Sequence, residues 1–356
     1  MIILAALLLS STSMAATINV PADQPTIQGA INAAQPGDTV LVAAGTYVEN
    51  IDFFGKAMTL KSVDGPDVTI IDGNSASCVA KFTSGEGPDS VLDGFTLTNG
   101  LGWGYPDYLG GGVTCKYASP TLINNRIKNN VSGGQWGQGG GIFIATGSPE
   151  IRNNDITGNW AGYNCGGIYL RDGSHPVIAD NNISWNTGYV AGAIYCQYGS
   201  NPLIENNLIH ENVATNGCEG WGAGIFCYWD SCPVIRGNVI SKNLGHKPGA
   251  GICCIDNADA LIEDNIITGN ISTKSAAGFM AERASPTVRR NLIYGNSAAK
   301  YGGGLGVSFG SPEIENNIIA NNTADGPFGG FGGGLWLDYA SPVVANNTFF
   351  GNTAAT

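Results

Sequence analysis

The sequence predicts an all-β fold, a single-stranded solenoid of the parallel β-helix type with an N-terminal capping helix. Three observations point there. The stretch SPEIRNNDITGN, residues 148–159, has a skeleton of roughly (Ser)-Pro-x-Ile-x-x-Asn-x-Ile-x-x-Asn, whose nine copies begin at Ser119, Ser148, His175, Asn201, Cys232, Asp259, Ser285, Ser311 and Ser341. Their last Asn residues, from Asn130 and Asn159 to Asn322 and Asn352, are spaced 26 to 31 residues apart. A period of that size means stacked repeats and is too short for propeller blades. Between the copies run Gly-rich, strand-like segments such as GGGIFIA (139–145) and GGGLWLD (332–338). No amphipathic helix follows to cover an outer curve, which argues against a leucine-rich horseshoe.

Taken in order, residues 1–15 read as a signal peptide: an apolar run too short to span a bilayer, then Ser13-Met14-Ala15 before a cleavage site. The mature chain, 16–356, is one elongated domain, with a cap and irregular coils over 16–90 and regular repeats over 91–356. In PTIQGAINAAQPGD (25–38), Ile27, Ala30, Ile31 and Ala34 stand at helical spacing and form the lid over the open core. TVLVAAGTYVENI (39–51), AMTLKS (57–62) and VTIIDG (68–73) supply the opening strands, and LDGFTLTNG (92–100) puts Phe95 where later coils place an Asn. In the regular coils Ile151, Ile156 and their equivalents point inward and stack on their copies about 4.8 Å away. Asn125, Asn154, Asn181, Asn207, Asn238, Asn265, Asn291, Asn317 and Asn347 form a buried amide column, each side chain donating to one neighbour and accepting from another. These Asn residues also suit the left-handed backbone of a turn. The chain stops after Asn352 with no second cap, and the expectation is a truncated solenoid or a further C-terminal region.

With INVPADQPTIQGAINAAQPGDTVLVAAGTYVENIDFFGKAMTLKS (18–62), DGPDVTIIDG (64–73) and the SPxIxxNxIxxN coils laid out, the chain resembles the pectate-lyase-like superfamily of right-handed parallel β-helices. The resemblance implies the right-handed fold. It leaves the activity open, because the superfamily holds lyases, hydrolases, esterases, epimerases and non-catalytic surface proteins. The Asp-Asp and His-Gly elements of polygalacturonase-like members are missing, Arg126-Ile127-Lys128 matches theirs by letters only, and the later esterase and lyase elements are missing too. No catalytic residue carries over.

Net charge is −12, with only 16 Lys plus Arg, which argues against nucleic acid. The column Glu205, Arg236, Glu263, Arg289, Glu315 alternates in sign and reads as cross-strand pairing. Of nine cysteines, Cys115, Cys196, Cys227 and Cys254 share an inward position and read as a stack of reduced thiols, a bridge between coils being the other reading. A Cys218 to Cys232 loop bridge is a further option. No metal site or cofactor is expected: no Cys-x-x-Cys pair, His cluster or Asp-rich calcium loop is present, and calcium is left open without a site. His175, His210 and His246 read as solvated.

The better signal lies in one turn, between the last Asn and the Gly-rich strand, where 101–111, 131–140, 213–223 and 323–333 bulge. Insertions gathered on one side of a solenoid often build its binding surface. They carry Trp103, Tyr105 and Tyr108; Trp136; Trp221; and Phe328 and Phe331. The outward residues of the following strand include Phe143, Tyr169, Tyr195, Phe226, Tyr228 and Trp336, with Tyr198, Trp229 and Arg283 at strand ends. Ligand-binding candidates are Trp103, Trp136, Tyr169, Tyr195, Tyr198, Trp221, Tyr228, Trp229 and Trp336: ring faces for sugars, with a stabilising aromatic ladder as the structural alternative. For elimination from a uronic acid, Lys116 and Arg171 are the candidate bases. For hydrolysis the grouping is Asp172 with Glu219 or Asp107. The expected protein is a secreted or cell-surface monomer that binds, and in one version cleaves, a polysaccharide; the alternative is a non-catalytic adhesive scaffold.

Overall fold

The structure, a computed structural model, describes residues 14–104, 106–134, 136–215, 220–326 and 329–355. The proposed signal peptide lies outside the described residues except for its last two. All strand pairs among the described residues are parallel, and each complete regular coil contributes one strand to each of four stacked sheets. One regular coil shows the plan: Glu150–Arg152 belongs to sheet I, Asp155–Thr157 to sheet II, Trp160–Ala161 to sheet III and Ile168–Arg171 to sheet IV. The sheets hold 13, 12, 10 and 11 strands respectively, giving the right-handed parallel β-helix that the repeat predicts.

The inward columns of sheets I and II are aliphatic and fully buried, Leu122, Ile151, Ile178, Ile204, Ile235 and Ile262 in one and Ile127, Ile156, Ile183, Ile209, Ile240 and Ile267 in the other. Burying such a side chain contributes about 1.5–3 kcal/mol, so the core is the sum of like residues stacked coil on coil. The expected Cys column is present as well: Cys196, Cys227 and Cys254 pair in register, buried and unbridged. Cys218 lies outside the described residues, so the loop bridge has no structural account.

At both corners flanking sheet II an amide ladder runs coil to coil. Asn238 Nδ2 donates to Asn265 Oδ1 at 3.0 Å and to Ile204 O at 2.9 Å, while its Oδ1 accepts from the backbone N and Nδ2 of Asn207. The second ladder, from Asn130 to Asn352, repeats this pattern, as in Asn243 Nδ2 to Asn270 Oδ1 at 3.0 Å. One expectation needs correcting: the left-handed residue is the one before each ladder Asn (Asn124, Asn153, Asn206, with φ 58°, 55° and 56°) and not the ladder Asn itself. The ladder residue keeps ordinary backbone and spends its side chain on the next coil. At the Gly-rich strand starts the next coil comes close: a Cβ on Gly224 would sit 2.4 Å from Gly251 O and 3.2 Å from Asn243 Nδ2, although Ala193 fills the same position one coil earlier.

The cap is helix α1, Ile27–Ala33, with Ile27, Ala30 and Ile31 buried over the first coil. Its ends are satisfied from the coil beneath. Glu49 accepts from the backbone N–H of Ile27 and Gln28 at 2.9 and 2.8 Å, and Lys56 Nζ donates to the carbonyls of Ile31, Asn32 and Ala34, each at 2.8 Å. A carboxylate at the start and an ammonium at the end suit the orphaned backbone groups there. At the other end the last inward residues, Leu337, Val344 and Phe349, stand exposed.

Candidate functional site

Sheet IV carries on its outer face a column that pairs in register, Phe143, Tyr169, Tyr195 and Phe226, continued by Cys253 and Met280. The sequence predicts these rings to be solvent-facing. They point away from the solenoid axis, yet Phe143, Tyr169, Tyr195 and Phe226 are nearly fully buried, forming a second apolar cluster with Cys165, Val190 and Ala191 from the turns between sheets III and IV. Those turns fold back over the sheet instead of away from it. Ring centroids follow at 5.7, 5.0 and 4.8 Å from Phe143 through Tyr169 and Tyr195 to Phe226.

The cover is incomplete and leaves a cavity of about 600 Å³. The turns supply one wall, with Tyr108, Trp136, Tyr163 and Trp221, and Tyr169, Tyr195 and Phe226 form the floor. The far wall is the corner after sheet IV, where Tyr198, Trp229, Asp256 and Arg283 occupy one repeat position on successive coils. These corner residues and Asp172 before them are left-handed, with φ from 47° to 58°. Non-Gly residues pay about 1–2 kcal/mol for that conformation, and here they hold side chains that a glycine would lack. From floor to wall the rings stay in contact: Phe226 to Tyr228 is 5.5 Å, Tyr228 to Trp229 is 4.3 Å and Trp229 to Tyr198 is 5.0 Å.

Several of the polar groups have partners in the protein. The Arg171 guanidinium lies between two rings, 5.7 Å from the Tyr108 centroid and 5.5 Å from that of Tyr198. Its Nε is 2.8 Å from Asp172 Oδ2, but the N–H is not aligned on that oxygen, so the contact is an ion pair and not a directed bond. Burial works against the Arg171 charge, yet the surrounding groups, Asp172 among them, leave its pKa raised. At the other end Arg283 Nε is 2.5 Å from Asp256 Oδ1, and Nη1 also pairs with Glu282. Tyr169 Oη donates to Gln197 Oε1 at 2.5 Å, and burial pushes the phenols of Tyr169 and Tyr195 well up, so both are neutral donors. Gln138 Nε2 donates to Trp136 O at 2.5 Å, and Gln138 Oε1 is buried without a partner.

Of the residues singled out from the sequence, Trp136, Tyr169, Arg171, Tyr195, Tyr198, Trp221, Tyr228 and Trp229 line the cavity. Four do not. Trp103 is half exposed on sheet III, Trp336 stacks on Tyr301 at 4.8 Å, Lys116 Nζ donates to Asp107 O at 3.1 Å, and Asp172 sits behind Arg171. Tyr105, Glu219 and Phe328 lie outside the described residues. Sequence reasoning did not single out Gln138, Tyr163, Asn164, Val190, Ile255 or Asp256 as site residues. Asp256 was legible, because it stands one repeat after Trp229 and one before Arg283. The alternating charge column pairs as predicted for Arg236 with Glu205 and Arg289 with Glu263, each at 2.8 Å. Among the described residues no group of three or more His, Cys, Asp or Glu could hold a metal, and no helix is long and apolar enough to cross a membrane.

The family model described as a right-handed β-helix region matches residues 111–291 and 248–356. No curated protein matches the chain in sequence. Among solved structures the chain is similar to a mannuronic acid-specific polysaccharide family 6 lyase from human gut microbiota, at 15% identity and TM-score 0.45, covering 93% of this chain and 91% of that one. It is similar to PfbA, a surface adhesin of Streptococcus pneumoniae, at 14% identity and TM-score 0.47, covering 95% and 92%. It is also similar to the catalytic domain of a GH87 α-1,3-glucanase, at 14% identity and TM-score 0.43, covering 97% and 70%. These are likenesses in the course of the chain alone.

Proposed function

The chain belongs to the right-handed β-helix family, and on that premise we propose that it binds an extracellular polysaccharide in the cavity beside sheet IV. The observation that carries this reading is the unbroken run of ring contacts, 4.3 to 5.5 Å apart, from the floor at Phe226 to the corner at Tyr198. The C–H faces of sugar rings pack on such surfaces, and their hydroxyls pair with groups like Gln197 and the Arg171 amino groups. From Asp172 to Arg283 the corner spans five coils, on the order of 20 Å at strand spacing, which suits a linear chain of several sugars. The signal-like stretch at residues 1–15 supports delivery outside the cell.

Binding is better supported than cleavage. Elimination needs a base, and Lys116 is away from the cavity while Arg171 is ion-paired with a raised pKa. Hydrolysis needs two carboxylates across the bond. The described lining has one, Asp256, and Arg283 holds it.

A glycan panel with product analysis tests the reading. Binding without new chain ends or unsaturated products is expected. Trp229→Ala and Tyr198→Ala should each weaken binding on the order of tenfold, the loss of one central aromatic contact. Silence on every glycan would return the chain to an adhesive scaffold, and unchanged affinity in both variants would remove the cavity as the site.

A further inference from the structure

We infer that the cavity is built for an uncharged glycan, and that Asp172 sets this specificity by occupying Arg171 as an internal carboxylate. The inference rests on the polysaccharide-binding reading and names its substrate class. Both guanidinium groups at the cavity meet carboxylates of the protein. Arg171 has Asp172 at 2.8 Å, and Arg283 has Asp256 at 2.5 Å together with Glu282. Two positive charges therefore face three negative ones. Among the described lining residues an incoming uronate finds no guanidinium without a carboxylate, Lys247 standing 4.9 Å over the Trp221 ring but outside the lining, and it meets an excess of like charge within a chain whose net charge is −12. The terminal amino groups of Arg171 remain donors, and with the charge neutralised they favour hydroxyl oxygens over a carboxylate. The remaining lining is rings, neutral amides and the aliphatic Val190 and Ile255, and it includes the uncharged phenols of Tyr169 and Tyr195.

Asp172 can act as this gate because of where the backbone puts it. It stands at the left-handed corner, φ 58°, directly after Arg171, and its side chain reaches the guanidinium from outside the cavity. Asn is at ease in that conformation, so Asp172→Asn removes the charge with little strain.

Titration calorimetry on the full chain, with hexamers of glucose, mannose and xylose set against hexamers of galacturonic and mannuronic acid, tests the inference. Wild type should bind an uncharged hexamer more tightly than either uronic hexamer, with little dependence on salt. Asp172→Asn should raise the ratio of uronic to uncharged affinity about tenfold, the scale of one hydrogen bond to a charged group, and added salt should erase that gain. Asp256→Asn, which removes one of the two carboxylates on Arg283 at the other end, should move the ratio the same way and serves if Asp172→Asn misfolds. A wild-type preference for uronic hexamers, or an unchanged ratio in both variants, overturns the specificity inference and leaves glycan binding standing. If no hexamer of either kind binds, both fall.

Discussion

At the scale of single residues, the molecule depends on an amide that has a different partner on each side. Asn238 satisfies its own polar atoms and those of Asn207, Asn265 and the Ile204 carbonyl at once. Asn238→Ala leaves several buried groups unpaired at about 1–3 kcal/mol each, and a drop in denaturation midpoint corresponding to at least about 3 kcal/mol is expected. Asn347→Ala, in the half-buried last coil, should cost clearly less, because water reaches the groups it abandons. Equal losses at the two sites would mean that the ladder acts through backbone conformation and not through burial. A third variant, Gly224→Ala, must push against Gly251 O and should destabilise by at least 1 kcal/mol or so. The ladder itself was legible in the sequence, because Asn recurs at one phase. Its turn was misplaced by one residue, since Asn, Asp, Gly and Arg all take the left-handed position before it and mask the pattern.

At the scale of elements, sheet IV has its outer face covered along the aromatic column. The bulged turns told where extra chain is added, but turn length carries no direction, and only the structure shows the turns folding over the strand. That is why Tyr169 and Tyr195, read as exposed ring faces, are buried floor. It is also why Trp229 and Tyr198 are the better variants: removing a floor ring would open the second cluster and confuse binding with stability. Beyond the corner that follows sheet IV, strands of sheet I end in a charge network. Arg289 lowers the pKa of Glu263 and Arg290 that of Asp264, each chiefly through a side-chain hydrogen bond. A carboxylate depressed in the folded state stabilises above its unfolded pKa, near 4, and that contribution is lost as pH falls through the folded value. Arg290→Met should therefore lower the melting temperature slightly at pH 7 and by progressively less below about pH 4, the pair being half exposed and screened by solvent. A gap that widened in acid would contradict the assignment.

At the scale of the whole molecule, fold and site come from the same period. A 26-to-31-residue spacing fixed which residues share a phase, and phase alone brought Tyr198, Trp229 and Arg283 to one corner. What phase could not give was Tyr163 or Gln138, because the turns that carry them differ in length and have no common register. The two ladders also make each coil interchangeable with the next. Excising residues 265–290, one 26-residue spacing of the first ladder, would bring Asn291 directly onto Asn238 with every inward Ile replaced by an equivalent. Such a shortened chain should still fold cooperatively, and Phe309 would stand where Arg283 did, beside Asp256. The trimmed protein becomes a molecular ruler with one graduation removed, whose preferred oligosaccharide should be correspondingly shorter.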